Sequence, residues 1–391
     1  MQQMYNRERG GNAKPSITKV NSANSVYGGA MRTKLICFLV LLAVFGCGDI
    51  LHQRISSANT ADVEIRRDLT YEAKDGFVDI LKDGKLVARY VYKDTPRPYI
   101  YPLYAPNGEM ITRNYPMKSG VPGESTDHPH HRSFWIGFGD VNGIDFWAEG
   151  EKTGKIVQTS IDFEPASPGY WGIHTKNEWI GPDGKKICDE ERRYSFLSCD
   201  YGTLISTAII LTAMNGDVKL GDTKEGFFAI RLAPTMQLKD GKGHIINSEG
   251  DKDNACWGKR ARWCDYTGEV NGKVCGVTIF DTPSNYNYPT YWHVRDYGLF
   301  AANPFGGKAF TNDAEKDSSY TIRYGHSLRL VYIVLIHDGN LDAQTLNAIA
   351  DQVAGKGRGS AKEPVKANAT SAATKPAESN LVKEQEGKSA K

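Results

Sequence analysis

Short runs of alternating apolar and polar residues, separated by turn residues, fill the chain from about residue 63 onward. Asp83-Gly84 separates two such runs, residues 77–81 and 86–92. An Asp-Gly or Asn-Gly pair favours the tight turn of a β-hairpin, because these residues accept positive φ angles. The signal recurs at Asn107-Gly108, Asp183-Gly184 and Asn271-Gly272. This pattern predicts a series of antiparallel hairpins.

Two longer apolar runs, residues 204–214 and 328–336, lack this alternation. Runs of this kind are typical of strands that are buried on both faces, as at the centre of a large sheet. We therefore predict an all-β fold, a large antiparallel β-sandwich that spans residues 61–355.

One C-terminal helix is predicted beside the sandwich. Leu346, Ile349 and Val353 recur at helical spacing after the capping residue Asp342, and Gly355 is suited to end the helix. We expect this helix to pack at the edge of the sandwich. Residues 356–391 contain few apolar side chains to bury, so we expect a disordered tail.

The N-terminal region predicts export. A basic start at Met31 precedes an unbroken apolar run of eleven residues, 35–45, which is too short to span a bilayer and matches a signal peptide. The run closes on Val44-Phe45-Gly46-Cys47, similar to a bacterial lipobox. We expect residues 1–30 to be a non-translated or disordered extension, 31–47 the lipoprotein signal, Cys47 the lipidated residue and 48–60 a tether. The protein would then lie in the periplasm or at the cell surface, attached to the membrane only through lipid.

Composition excludes several classes of protein. The chain is 40% hydrophobic, 10% aromatic and 24% charged, which is typical of soluble globular proteins. Lys and Arg number 48 against 46 Asp and Glu, a balance that lacks the basic surface a dedicated nucleic-acid binder needs. We expect no nucleic-acid partner. Five cysteines remain after the signal, an odd number, and disulfides such as Cys188 with Cys199 or Cys256 with Cys264 stay open.

A dense histidine cluster is the first candidate for chemistry. Three of the nine histidines lie in Asp127-His128-Pro129-His130-His131-Arg132, just before Trp135. If this segment is extended, His128 and His130 face one way and His131 the other. Imidazoles serve as general acids and bases and as ligands of divalent transition metals such as Zn, Fe or Ni.

Three later segments supply further candidates. Glu225 comes directly before an apolar strand that carries Arg231. Period-two alternation places His293, Arg295 and Tyr297 on one face of a strand and Trp292 on the other. Charged donors beside aromatic rings suit a polyhydroxylated or anionic ligand. The turn at Asn303-Pro304-Phe305-Gly306 is suited to supply an amide donor.

In order and spacing, these motifs resemble a bacterial family catalogued as PmoA or "methane oxygenase PmoA", over most of residues 65–355. The family's function is unassigned. The resemblance implies a galactose-mutarotase-like supersandwich, a fold widely used on sugars. A membrane methane monooxygenase subunit needs several apolar spans of about 20 residues, and this chain has one run of eleven. We therefore reject methane oxidation.

Three functional hypotheses follow. The first is an enzyme, an isomerase, lyase or hydrolase, that acts on a carbohydrate or other polar small molecule by acid–base chemistry. Its candidate catalytic residues are His130, His131, Glu225 and His293. Its candidate substrate-binding residues are Arg132, Trp135, Arg231, Trp292, Arg295 and Asn303. The second is a surface lipoprotein that binds carbohydrate without turnover. The third is a metal-dependent enzyme with ligands among Asp127, His128, His130 and His131.

Overall fold

The computed structural model describes residues 65–354, apart from residues 67, 168, 169 and 241. The predicted extension, signal peptide, lipidation site Cys47, tether, Gly355 and the C-terminal tail lie outside the described residues. Within the described part of the chain, no helix combines the length and apolar character needed to cross a membrane.

Nineteen strands form within these residues. In chain order they are β1 (Ile65–Arg66), β2 (Leu69–Lys74), β3 (Phe77–Lys82), β4 (Lys85–Val91), β5 (Tyr99–Leu103), β6 (Phe134–Phe138), β7 (Lys155–Ser167), β8 (Tyr170–Ile180), β9 (Lys186–Cys199), β10 (Gly202–Thr212), β11 (Val218–Leu220), β12 (Gly226–Arg231), β13 (His244–Asn247), β14 (Trp263–Val270), β15 (Lys273–Asp281), β16 (Tyr291–Val294), β17 (Leu299–Asn303), β18 (Tyr320–Ile322) and β19 (Ser327–Asp338).

Two large antiparallel sheets contain most of these strands. The nine-stranded sheet has the order β13-β14-β15-β19-β10-β9-β8-β7, with β1 paired to β9. The eight-stranded sheet has the order β16-β17-β12-β6-β5-β4-β3-β2. Strands β11 and β18 form a separate two-stranded sheet.

The inner faces of the two large sheets share one core. Ile205 and Leu330 of the nine-stranded sheet belong to the same buried cluster as Ile80 and Phe228 of the eight-stranded sheet. The prediction of an all-β fold with a large antiparallel sandwich is confirmed. The two non-alternating apolar runs became β10 and β19, which pair with each other at the centre of the nine-stranded sheet.

The hairpin turns follow the local sequence. Asp83 and Gly84 have φ angles of 50° and 74°, as a two-residue turn between β3 and β4 requires. Asn271 and Gly272, with φ of 50° and 78°, connect β14 to β15 in the same way. After Asn107-Gly108 the chain makes only isolated bridges, Tyr104 with Met110 and Thr112 with Leu232, so the hairpin predicted there is incomplete.

The helices differ from the prediction in number and position. Beside α2 (Ala343–Val353) there is a five-residue helix, α1 (Gly307–Thr311). Four single-turn 3₁₀ segments occur at Pro234–Met236, Leu238–Asp240, Asp253–Cys256 and Ala314–Lys316. As predicted, Asp342 caps α2 by accepting from the backbone N–H of Thr345.

Helix α2 covers the outer face of the nine-stranded sheet rather than its edge. Its Leu346 and Ile349 belong to a buried cluster that includes Trp263, Phe280 and Leu335 of the sheet. Burial of apolar area is what fixes this position, because the outward side chains of the central strands are as large and apolar as the inward ones.

The five described cysteines carry free, buried thiols. The alternative of a disulfide between Cys188 and Cys199, or between Cys256 and Cys264, is therefore not realised in this structure. Burial raises the pKa of Cys188 to about 12, so this thiol is a small apolar core group at neutral pH.

Candidate functional site

The outer face of the eight-stranded sheet carries a row of side chains that crosses five strands. Register pairs Tyr99 with Trp135, Trp135 with Ala229, Ala229 with Ala301, and Ala301 with His293. Their neighbours along the strands, such as Phe228 and Phe300, point into the core. We call these five residues the outer-face row. Trp135 and His293 lie three strand spacings apart, about 14 Å, and the two alanines between them are buried beneath side chains packed on this face.

A stack of four planar side chains lies on this face. His131 stacks on Trp135 at a centroid distance of 5.1 Å, His128 on His131 at 4.7 Å, and Tyr297 on His128 at 5.3 Å. We call Trp135, His131, His128 and Tyr297 the ring stack. Tyr297 packs against the small apolar cluster that contains both alanines of the outer-face row. His130 meets His131 edge-on at 4.6 Å. The folding thus brings the histidine cluster to the turn that follows β16, the strand that carries His293.

Two fully buried arginines hold the histidine segment in place. Arg113 donates to the carbonyl oxygens of Asp127 and His128 and to Asp127 Oδ1 at 2.6 Å. Arg231 lies 3.1 Å from the same carboxylate oxygen. Partial burial acts to raise the pKa of Asp127. The hydrogen bond from Ser125 and the charge of Arg231 act in the opposite direction and outweigh it, so the net shift is downward. Asp127 is therefore an anchoring anion.

His128 takes a left-handed backbone conformation, φ 46°, within this anchored segment. Such a conformation costs a non-glycine residue of order 1–3 kcal/mol, and it persists where surrounding contacts fix it. The imidazole is 40% exposed. Its Nδ1 lies 2.9 Å from Asp127 Oδ2, but the geometry does not meet that of a hydrogen bond. His128 is thus both oriented and accessible.

His131 has a structural role. Burial lowers its pKa well below the ordinary value, with the charge of Arg231 adding to the effect, so the ring is neutral. Its Nδ1 therefore accepts from Arg231 Nη1 at 2.8 Å. A buried ring with its lone pair engaged in this way is not free to exchange protons with a substrate.

Glu225 lies at the start of β12, on the same side of the sheet. Its carbonyl oxygen accepts from Gly139 N at 2.8 Å. A Cβ at Gly139 would lie 2.8 Å from Cβ of Glu225, so this approach requires glycine. The half-buried carboxyl makes no hydrogen bond or ion pair within the described part of the chain. Burial raises its pKa, while the charges of Lys224, His128 and Arg295 oppose the shift. An unpaired carboxyl with a raised pKa is suited to act as a general base.

The two other predicted histidines are neutral at pH 7. Burial lowers the pKa of His293 to about 3, and the charges of Arg295 and Lys224 add to the effect. The Nδ1 atom of His293 is buried and has no hydrogen-bond partner among the described residues. Burial also lowers the pKa of the half-buried His130, to about 4, with the charge of Arg97 contributing.

Further buried donors without partners lie around the ring stack. They are the indole Nε1 atoms of Trp135, Trp147 and Trp257, which have no hydrogen-bond partner within the described ranges. Trp135 contacts Trp147 at 5.1 Å, and Trp257 lies against Arg295. Buried donors of this kind are normally satisfied by a ligand or by water, so their grouping makes this face a candidate binding site.

Several predicted substrate-binding residues already contact other parts of the protein and are not available to a ligand. Trp292 points into the core, where its Nε1 donates to the carbonyl oxygen of Ala261. Trp135 is 1% exposed, with His131 already stacked on it, so it offers no free face to a sugar. These two predictions are corrected because each aromatic face is already covered by protein.

The four other predicted substrate-binding residues differ in whether their side chains already bond to the protein. Arg132 forms a two-pronged ion pair with Glu149, with both distances at 2.7 Å. Arg231 is fully buried and bonded as described above. Asn303 is buried, and it donates to the carbonyl oxygen of Thr223 while accepting from Phe305 N. Asn303 therefore positions the loop that carries Glu225. Among these four, only the side chain of Arg295 has no hydrogen-bonded or ion-paired partner in the described residues.

The proposed metal ligands do not converge. No group of three or more His, Cys, Asp or Glu side chains within residues 65–354, as far as they are described, is arranged to hold a metal ion. The rings of His128 and His131 are stacked nearly parallel, with an interplanar angle of 12°. The Nδ1 of His131 already accepts a hydrogen bond from the guanidinium of Arg231. Parallel stacked rings direct their nitrogen lone pairs side by side rather than toward one point, so the metal-site prediction is corrected.

Three contributors to this face were missed in the sequence. Arg113 and Trp147 stand alone among ordinary strand and loop residues, and Trp257 precedes a glycine in a polar segment. None forms part of a motif. The sequence places Tyr297 near Arg295, but the position of Tyr297 in the ring stack depends on contacts with a segment about 170 residues away.

Two solved structures resemble this chain distantly. A galactose mutarotase-like protein from Clostridium acetobutylicum is 12% identical, with 71% of this chain and 98% of that chain covered, at a TM-score of 0.35. Galactose 1-epimerase from Lactobacillus acidophilus is 8% identical, with 70% and 100% covered, at a TM-score of 0.31. Likenesses this distant carry no argument about the activity or substrate of this chain.

No curated protein matches the chain. A model for a family of unknown function, DUF6807, matches residues 77–351, which include the outer-face row, the ring stack and Glu225. The chain therefore belongs to this family.

Proposed function

We propose that the protein binds a carbohydrate on the outer face of the eight-stranded sheet and acts on it by acid–base chemistry. The observation that carries the proposal is the half-buried carboxyl of Glu225, which is unpaired within the described chain and lies within electrostatic range of His128. A carboxylate base and an imidazole acid together move a proton off one sugar oxygen and onto another.

In this proposal Glu225 is the base and His128 the acid. Burial raises the pKa of Glu225, which increases its proton affinity toward that of a substrate hydroxyl. Asp127 Oδ2 lies 2.9 Å from Nδ1 of His128 and orients the ring. The neutral His293, whose Nδ1 has no hydrogen-bond partner among the described residues, accepts a hydrogen bond from a hydroxyl. His130 is the second histidine open to solvent on this side.

A ligand screen followed by two variants tests the proposal. Mono- and disaccharides, including uronic acids, are first screened by thermal shift, and hits are assayed for turnover. Glu225→Gln should bind a hit within a few-fold of the parent affinity while turnover falls about 10²–10⁴-fold, the range typical of a lost general base. Glu269→Gln, an exposed carboxylate on β14, is the matched control and should leave both unchanged.

The outcomes separate the hypotheses. Sugar binding without turnover in the parent protein supports the alternative of a carbohydrate-binding protein. Binding of no sugar refutes the proposal. Turnover that is unchanged in Glu225→Gln refutes the assigned base.

We also propose that the protein is exported and attached to the membrane through lipid on Cys47. The support is the eleven-residue apolar run, residues 35–45, followed by Gly46 and this cysteine. Mass spectrometry of the mature protein should find a lipidated Cys47 at its N-terminus. The Cys47→Ala variant should no longer be found in the membrane fraction. A mature chain that retains residues 1–30 would contradict this. The resemblance to the PmoA family stays a prediction.

A further inference from the structure

Arg295 differs from the other arginines of this face in having no anionic or carbonyl partner. Arg132 binds Glu149, Arg113 and Arg231 bind Asp127, and buried Arg97 donates to the carbonyl oxygens of Trp147 and Ala148. The guanidinium of Arg295 makes no hydrogen bond or ion pair within the described residues. A half-buried guanidinium without an acceptor is unusual, because its desolvation is otherwise not compensated.

Aromatic rings hold this guanidinium in place. Its central carbon lies 5.8 Å from the ring centroid of Trp257 and 5.5 Å from that of Tyr297. Tyr297 is also the outermost member of the ring stack. Cation–π contacts orient an arginine and leave N–H groups available to an incoming acceptor. Arg295 is therefore positioned before any ligand arrives.

Two more unpaired polar atoms lie beside it. Trp257 and His293 both pack on Phe310, at centroid distances of 5.5 Å and 5.9 Å. The Nε1 of Trp257 and the Nδ1 of His293 are buried, and neither has a hydrogen-bond partner within the described ranges. His293 is 2% exposed. A cation, an indole N–H and an imidazole thus gather around one small area next to the base Glu225.

Two cations act on this area. The charges of Arg295 and Lys224 both lower the pKa of His293, and both also act on the carboxyl of Glu225, which Asp145 opposes. The planar fork of a guanidinium matches the two oxygens of a carboxylate, with which it forms paired, charge-assisted hydrogen bonds.

We infer that Arg295, with the indole N–H of Trp257 as a second donor, forms a subsite for a carboxylate of the substrate. The inference rests on the proposed function, and it defines the substrate class as an acidic sugar, such as a uronate, rather than a neutral one. The carboxylate would occupy the β16–β17 end of the outer-face row and place the sugar ring toward Glu225 and His128.

Calorimetric titration of the full chain tests this inference. The probes are glucuronate and galacturonate, their neutral counterparts glucose and galactose, and glucose 6-phosphate. We expect a uronate to bind at least about 10-fold more tightly than its neutral counterpart, with an affinity that falls as salt is added.

Variants isolate the guanidinium. Arg295→Gln should weaken uronate binding about 10- to 100-fold and leave neutral-sugar binding within about 2-fold, the range expected for a charge-assisted hydrogen bond. Arg295→Lys keeps the charge without the fork and should retain an intermediate affinity. Arg323→Gln removes an exposed arginine, paired with Asp217 on the two-stranded sheet, and should change nothing. Circular dichroism confirms folding of each variant.

The inference and the proposed function fail differently. If neutral sugars bind as tightly as uronates, or if Arg295→Gln weakens both equally, the carboxylate subsite is refuted while sugar binding stands. Preference for glucose 6-phosphate that depends on Arg295 also refutes the carboxylate assignment. If none of the probes binds, both are refuted.

Discussion

Replacing Arg231 with methionine should destabilise the protein by removing the cation that holds the ring stack. The side chain is fully buried and bonds to His131 Nδ1 at 2.8 Å and to Asp127 Oδ1 at 3.1 Å. Loss of the first bond leaves a buried nitrogen unpaired, which costs about 1–3 kcal/mol. Loss of the second costs less than the usual value for a charged pair, because Asp127 is 41% exposed and keeps its bond to Arg113.

Together these losses predict that Arg231→Met lowers the free energy of unfolding by about 2–4 kcal/mol, and Tm by about 3–7 °C for a domain of this size. Urea titration followed by tryptophan fluorescence measures the change, since Trp135 and Trp147 both lie in this region. Near-ultraviolet circular dichroism shows whether the ring stack is lost. Arg231→Lys should recover part of the difference.

The control is Arg323→Met, which removes an exposed ion pair and should have no measurable effect. If Arg231→Met unfolds within about 0.5 kcal/mol of the parent protein, the argument that Arg231 fixes the histidine segment is wrong.

Two further predictions follow. Glu190 and Arg192 form a fully buried ion pair inside the sandwich, and Trp179 also donates to Glu190, so Glu190→Gln should cost about 3–5 kcal/mol in urea denaturation; a loss under about 1 kcal/mol would contradict this. Because the folded-state pKa of His293 is about 3, below the ordinary 6.5, its contribution is full above pH 6.5 and is lost as pH falls toward 3. His293→Gln should therefore lose less stability than the parent between pH 7 and 4.5, and equal losses would contradict the assignment.

Local sequence determined the strands, several turns and one helix cap. Asp83-Gly84 adopted positive φ angles because Asp and Gly tolerate the left-handed conformation that this turn requires, and Asp342 capped α2 because its carboxylate reaches the free N–H of Thr345. Alternation placed His293 on the face opposite Trp292, as predicted. These features depend on neighbours a few residues apart, so the sequence suffices to predict them.

Tertiary structure decided which candidate side chains are available. Arg132, Arg231 and Arg295 look alike in the sequence, yet two pair with carboxylates, while the guanidinium of the third has no such partner among the residues that the structure describes. His131 and His128 are three residues apart, but only His128 is exposed, because Arg231, 100 residues later, bonds to His131. Hydrogen bonding and desolvation depend on which distant segments pack together. Sequence spacing therefore identified the candidate side chains. The register of β16, β17, β12 and β6 determined which of them remain available to a ligand.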